Sequence, residues 1–195
     1  SNNKYLEIYN GTGSDVDLSN YLIFGNFNGN GINDTVRFEV GTVLANGEVY
    51  VLAHAESSDE ILAETDSAVV SPWSGGTSYM LTFNGDDVRL LARIVGTDTT
   101  IVDAVGTLDF DGDGILGEGL EDDPGSGFSV AGVVDATKDQ TLRRKSTVTS
   151  GNSDWAASAG TDADNSEWVV EDRPTAAYTP STLGSHEMLL ESGLS

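Results

Sequence analysis

NNKYLEIYNGTGSDVDLSNY, residues 2–21, sets out a strand, a tight polar turn and the beginning of a second strand within one short stretch. Apolar and polar side chains interleave through Tyr5-Leu6-Glu7-Ile8-Tyr9, the period-2 pattern of a half-buried strand. Asn10-Gly11-Thr12-Gly13 breaks it with residues that tolerate left-handed backbone. Val16 and Leu18 then resume the inward-facing positions ahead of Tyr21-Leu22-Ile23-Phe24.

Working outward, the same alternation recurs. Strands are predicted at Tyr5–Tyr9, Tyr21–Phe27, Thr35–Val40, Glu48–Ala53, Tyr79–Phe83, Val88–Ile94, Thr100–Val105 and Thr141–Lys145, separated by Gly/Asn/Asp clusters. Short strands between turn signals point to an all-β sandwich or barrel. One short helix is expected, Ser58–Glu64, capped by Ser57 or Ser58 with Ile61 and Leu62 turned inward. Asn84-Gly85 within Phe83–Leu91 predicts a type I′ hairpin. Residues 106–132 are dominated by Asp, Glu and Gly, with Leu108, Phe110, Phe128 and Val130 as core candidates, and read as a long loop that needs more than apolar burial to be ordered. Trp155 and Trp168 stand in polar surroundings and are expected to anchor loops to the core.

The chain has 195 residues, enough for one domain that buries roughly 70% of its unfolded surface. Its 32 acidic residues against 9 basic ones give a formal net charge of −23. Such an excess repels nucleic-acid phosphates, acidic polysaccharides and anionic lipid, and strains the compact state unless cations bind or screen it. There is no cysteine, so disulfides and thiolate metal sites are excluded. No apolar stretch approaches the roughly 20 residues that span a bilayer, and no basic-then-apolar leader is present. A signal peptide, if there was one, has been removed, and an extracellular setting is at least as natural an expectation as a cytoplasmic one.

Further pieces follow the opening in a fixed order: NGEVYVLAHAES (46–57), FNGDDVRLL (83–91), IVDAVG (101–106), TLRRKSTVTSGN (141–152), SEW (166–168) and LGSH (183–186). Together they resemble the lamin-tail domains of bacterial secreted and surface proteins. The resemblance implies an immunoglobulin-like antiparallel β-sandwich with long acidic loop insertions and one short connecting helix, extending over residues 1–185 and leaving 186–195 as a C-terminal tail. Such a sandwich needs about 100 residues, so the surplus falls in insertions and ends. Family members often carry one more extended segment ahead of SNNK, so an open sheet edge is expected here. The acidic stretch Asp109–Asp123 is longer than the family pattern.

That stretch carries the sharpest chemical signal. Asp109-Phe110-Asp111-Gly112-Asp113-Gly114 places carboxylates at loop positions 1, 3 and 5 with glycine at 6, the first half of a calcium loop in which alternate acids turn inward on a hard cation. The Ile115 carbonyl would be the position-7 ligand. Position 12 is Leu120 where a bidentate Glu is needed, so Glu118 and Glu121, with Asp122 and Asp123 also near, would complete the shell. The expected calcium ligands are therefore Asp109, Asp111, Asp113, Ile115, Glu118 and Glu121, with a solvated acidic turn as the competing reading. Asn26-Phe27-Asn28-Gly29-Asn30-Gly31 repeats the spacing with amides and reads as a turn. Asp162–Glu167 reads as a capped turn leading into Trp168.

Catalytic signals are weak. His186-Glu187-Met188-Leu189-Leu190 lacks the second histidine of HExxH, Gly127-Phe128-Ser129-Val130-Ala131 lacks the second glycine of GxSxG, and there is no phosphate-binding or dinucleotide loop. Arg143-Arg144-Lys145 lies on a predicted strand and is expected to pair with nearby acids rather than bind nucleic acid. Met188-Leu189-Leu190 lies in what reads first as a disordered tail, with strand addition to the open edge, by the tail or by a segment of another subunit, as the alternative. The expectation is a non-enzymatic, calcium-stabilised structural or binding module of the extracellular space or cell surface, for adhesion or self-assembly and without membrane insertion. An accessory targeting domain of a larger secreted hydrolase such as a nuclease is the alternative. A carbohydrate-binding module using Trp73, Trp155 or Trp168 is the third.

Overall fold

A computed structural model describes residues 2–173 and 182–189. Eleven strands and two short α-helices follow in the order β1 (Tyr5–Tyr9), β2 (Val16–Asp17), β3 (Tyr21–Asn26), β4 (Ile32–Arg37), β5 (Val43–Leu44), β6 (Val49–His54), α1 (Asp59–Leu62), β7 (Ser67–Val69), β8 (Arg89–Val95), β9 (Asp98–Val105), β10 (Gln140–Arg144), α2 (Trp155–Ala159) and β11 (Trp168–Asp172). They form a four-stranded sheet in the order β4-β3-β8-β9, a three-stranded sheet β1-β6-β7, and the pairs β10-β11 and β2-β5. All pairings are antiparallel except β6 with β7.

The opening stretch folds as its pattern requires. Leu6 and Ile8 point from β1 into a cluster with Leu18, Ile23, Leu44 and Leu52, while the odd residues face away. Asn10 closes the strand from a buried position, 3% exposed. Its amide donates to the carbonyls of Leu44 at 2.8 Å and Ser14 at 2.9 Å, and its oxygen accepts from the Thr12 hydroxyl at 2.8 Å. Every polar atom of that buried amide is thereby used, which fixes the turn against β5. A second cluster joins Leu90 and Ala104 to Phe128, Val130, Trp155 and Trp168. Ile61 of α1 and Leu183 close a third over Val51 and Ala53. Trp155 and Trp168 are each 8% exposed, so they anchor the polar segments around them.

Three readings of the sequence change. Tyr79–Phe83 is not a strand and the Asn84-Gly85 hairpin does not form: β8 pairs with β3 and β9 instead. The cause is Arg89, whose guanidinium donates to the carbonyls of Met80 at 2.8 Å and Tyr79 at 3.2 Å, so a side chain takes the place of a ladder partner. β4 begins at Ile32, ahead of the expected Thr35, because Asn26 closes a tight turn by donating to the Gly31 carbonyl. β7, β11 and α2 escaped notice, and the expected Ser58–Glu64 helix is confined to Asp59–Leu62. Among the described residues, no helix is long and apolar enough to cross a membrane.

Candidate functional site

The acidic loop after β9 is organised by its own backbone. Asp109 accepts from the Gly114 N–H at 3.1 Å, Asp111 from Asp113 N–H at 3.1 Å and Asp113 from Ile115 N–H at 2.7 Å, the bonds that curl a D-x-D-x-D-G run. Two groups of three carboxylates result, Asp109 with Asp111 and Asp122, and Asp111 with Glu118 and Glu121, each with ligand oxygens within 4.8 Å of one another. Four of the six expected ligands thus meet, sharing Asp111. Asp113 joins neither group, and Ile115 is 56% exposed with its N–H turned to Asp113.

Asp122 was not among the expected six, yet it is 3% exposed and accepts N–H bonds from Phe110, Gly117 and Glu118. Those backbone donors, Glu118 first, hold its carboxyl below the usual carboxylate range. The sequence offered it only as one of several nearby acids, because the path of residues 114–121 decides which of them returns to Asp109. Burial and the neighbouring acids Asp113, Glu121 and Asp111 push Glu118 the other way. The second carboxylate oxygen of Asp109 is buried without a hydrogen-bond donor. An all-oxygen set of clustered acids with one unsatisfied oxygen suits a hard divalent cation.

The loop is fastened to the turn after β3. Gly119 N–H donates to the Gly29 carbonyl at 3.1 Å, and a Cβ on Gly29 would stand 1.8 Å from the Gly119 oxygen. The Asn26 amide is occupied by Gly29 N–H and the Gly31 carbonyl, so this stretch is a structural turn. Asp87 reaches the same turn by accepting from Asn28 N–H at 3.0 Å. Burial raises the carboxyls of both Asp86 and Asp87, and each has an oxygen with no donor.

The histidines do not meet. His54 N–H bonds the Lys4 carbonyl at one end of β1 and the His186 ring packs on Tyr9 at the other, roughly 16 Å away at strand rise. The basic run is consumed by partners: Arg143 pairs with Glu171 at 2.7 Å, Arg144 with Asp103 and Glu167, and Lys145 donates to the Ala163 carbonyl. Arg144 also lies 4.0 Å over the Trp168 ring.

A cleft of about 570 Å³ lies between β1 and β10, lined also by Ile23, Leu91 and Val105. Among the described strands, β1 pairs with β6 and β10 with β11. The chain segment after Leu183 passes along its rim. Gly184 N–H donates to Glu7 at 2.6 Å, His186 packs on Tyr9 at 4.7 Å, and Leu189 N–H donates to the Ser146 carbonyl at 2.7 Å. Burial of the carboxyl pushes Glu7 up to about 7, with the Gly184 N–H opposing, although the residue keeps contact with water. Residues 190–195 lie outside the described residues.

No curated protein and no solved structure matches the chain. The family model of the lamin tail domain matches residues 1–109, which run from the opening stretch through β9 to the first aspartate of the acidic loop. Short strands in several sheets, two short helices and that match agree: the chain belongs to the lamin tail domain family, whose fold is immunoglobulin-like.

Proposed function

We propose that the protein is a non-enzymatic structural or binding module of the extracellular space or cell surface, with an acidic loop ordered by calcium and an open sheet edge that joins it to other polypeptides. The observation that carries this reading is the cleft of about 570 Å³ between β1 and β10, lined by both strands and by the apolar side chains of Ile23, Leu91 and Val105. Sheet edges bind extended chains through main-chain hydrogen bonds. Copies of the same chain are the first partner to test.

Calcium enters through Asp109, Asp111 and Asp122, with Glu118 and Glu121 beside them. Binding there would relieve like-charge crowding in a chain of net charge −23 and supply the partner that the Asp109 oxygen lacks. The test is a mass measurement of the protein in calcium and in chelator, with and without residues 186–195. Assembly that needs calcium supports the reading, and a monomer that melts identically in both solutions overturns it.

A second reading, carbohydrate binding, has one observation in its favour. Trp73 is 71% exposed beside a small cavity of about 100 Å³ that Lys4, His54 and Glu56 also line. Trp155 and Trp168 are buried and unavailable as stacking platforms. Quenching of fluorescence by a soluble polysaccharide in the native chain but not in Trp73→Ala would favour it.

A further inference from the structure

Two buried carboxylates stand outside the groups of the acidic loop. Asp86 is 8% exposed and Asp87 6%, and both are carried by the bend that leads into β8. Asp86 Oδ1 and Asp87 Oδ2 are sealed from water with no hydrogen-bond partner. The other oxygen of Asp87 accepts from the Asn28 N–H at 3.0 Å. A buried carboxylate is paired, bound to a metal or neutralised by a proton, because nothing else replaces its lost hydration.

The chain's own cations do not pair them. Lys4 and Arg89 act on Asp87 from a distance, but the Lys4 ammonium donates to the Thr82 carbonyl at 3.1 Å and the Arg89 guanidinium donates to four carbonyls. Lys138, the cation that acts on Asp86, is exposed to solvent. Among the described residues neither acid joins a salt bridge. Ser1 and residues 174–181 and 190–195 contain no Lys, Arg or His, so no basic side chain beyond the described residues can supply the pairing.

A third acid stands beside these two. Asp123 closes the acidic loop, and its charge acts on both Asp86 and Asp87. Asn28, whose N–H holds Asp87, is followed by Gly29, and a Cβ at Gly29 would lie 3.1 Å from the Asp123 Cβ. The fold thus gathers acids from residues 86–87 and from residue 123 at one turn, where like charges repel unless a cation lies between them. The three do not close to the 4.8 Å reached by the loop groups. Asp123 is the member able to close the distance, being only half-buried and holding nothing further off than the Gly125 N–H at 2.7 Å, two residues along the chain.

We propose that Asp86, Asp87 and Asp123 hold a hard divalent cation of their own, separate from the ion assigned to Asp109, Asp111 and Asp122. The two orphaned oxygens are its fixed ligands, Asp123 swings in as the third, and water fills the remaining positions. Carboxylate oxygens select hard cations. An irregular set with one mobile member suits calcium better than magnesium, which demands near-ideal octahedral geometry. Neighbouring residues of the loop then answer to different ions, Asp122 to the one at Asp109 and Asp123 to the one at the bend before β8. The second ion ties the end of the acidic loop to the four-stranded sheet through β8.

A proton on each buried acid is the competing answer to the same burial, and the two predict different behaviour. The test counts calcium ions on the full 195-residue chain by native mass spectrometry during a calcium titration at neutral pH, for the parent, Asp111→Asn, Asp86→Asn and Asp123→Asn. Asp111→Asn, which disables both loop groups, retains one ion. Asp86→Asn carries one ion fewer than the parent, and Asp123→Asn binds that ion at least tenfold more weakly. In thermal melts Asp86→Asn matches or exceeds the parent in chelator, since an amide is spared the cost of burying charge, and falls below it in calcium.

An Asp86→Asn chain with the parent's full complement of ions overturns the inference, as does an Asp111→Asn chain with none, and in both cases the loop site stands. The parent's count in Asp111→Asn together with a loss in Asp86→Asn sinks the loop assignment and keeps this one. A parent that binds no calcium overturns both. Should Asp86→Asn fail to fold, the Asp123→Asn titration decides alone, an unchanged affinity being the refuting result.

Discussion

Replacement of Arg89 by methionine tests the most unusual element of the core. The guanidinium is 5% exposed and donates to four carbonyls: Val88 at 2.7 Å, Met80 and Asn26 at 2.8 Å, and Tyr79 at 3.2 Å. Burial lowers it to about 10, with Asp87, Asp34 and Asp86 opposing, so it is still a cation at neutral pH. Methionine preserves much of the volume and removes the donors. Tyr79 and Val88 keep other donors, Thr82 N–H and Asn26 N–H, but no backbone N–H takes over the Met80 carbonyl. An orphaned buried acceptor costs about 1–3 kcal/mol, and Asp87 loses its nearest buried counter-charge. With a urea slope of about 2 kcal/mol per molar, a loss of about 1–3 kcal/mol lowers the midpoint by roughly 0.5–1.5 M. Arg89→Lys, with one point donor in place of a fork, lands between. A midpoint shift below about 0.5 M for Arg89→Met would refute the argument that this side chain organises residues 79–83.

Calcium at 100 times its dissociation constant should add about 2.7 kcal/mol, and at 2–4 °C per kcal/mol for a chain of this size the melting temperature rises by roughly 5–10 °C. Asp111→Asn, which touches both carboxylate groups, abolishes that rise, whereas Asp113→Asn, which touches neither, retains most of it; equal losses in calorimetry would dissolve the assigned ligand set. Gly29→Ala puts a methyl onto the Gly119 carbonyl and requires an alanine at φ +66°, so the protein melts earlier and residues 109–123 become the first segment cut in limited proteolysis. Glu7, raised to about 7 in the fold, binds more protons folded than unfolded between its ordinary value and 7, so its contribution is complete at low pH and is lost as pH rises through 7. Glu7→Gln flattens the stability profile across that window, and an unchanged slope in chemical melts from pH 4 to 8 would count against the shift.

Alternation and turn chemistry determined the class of this protein. Tyr5–Tyr9, Val49–His54 and Arg89–Val95 were legible as strands because each is a short run rich in β-branched, aromatic and aliphatic residues bounded by turn signals. The opening stretch also held its own turn, since Asn10 and Gly13 act within a few residues of their partners. D-x-D-x-D-G likewise disclosed a curled acidic loop, because its bonds reach only two to five residues. Tertiary structure decided what depends on distant partners. Arg89 captured the carbonyls of residues 79 and 80, cancelling a hairpin that local propensity favoured. The return of the chain at Asp122, and not the spacing from Asp109, selected the acid that completes the cluster. The cleft was beyond any local pattern. It exists because β1 and β10, about 130 residues apart in the chain, come to line one concavity.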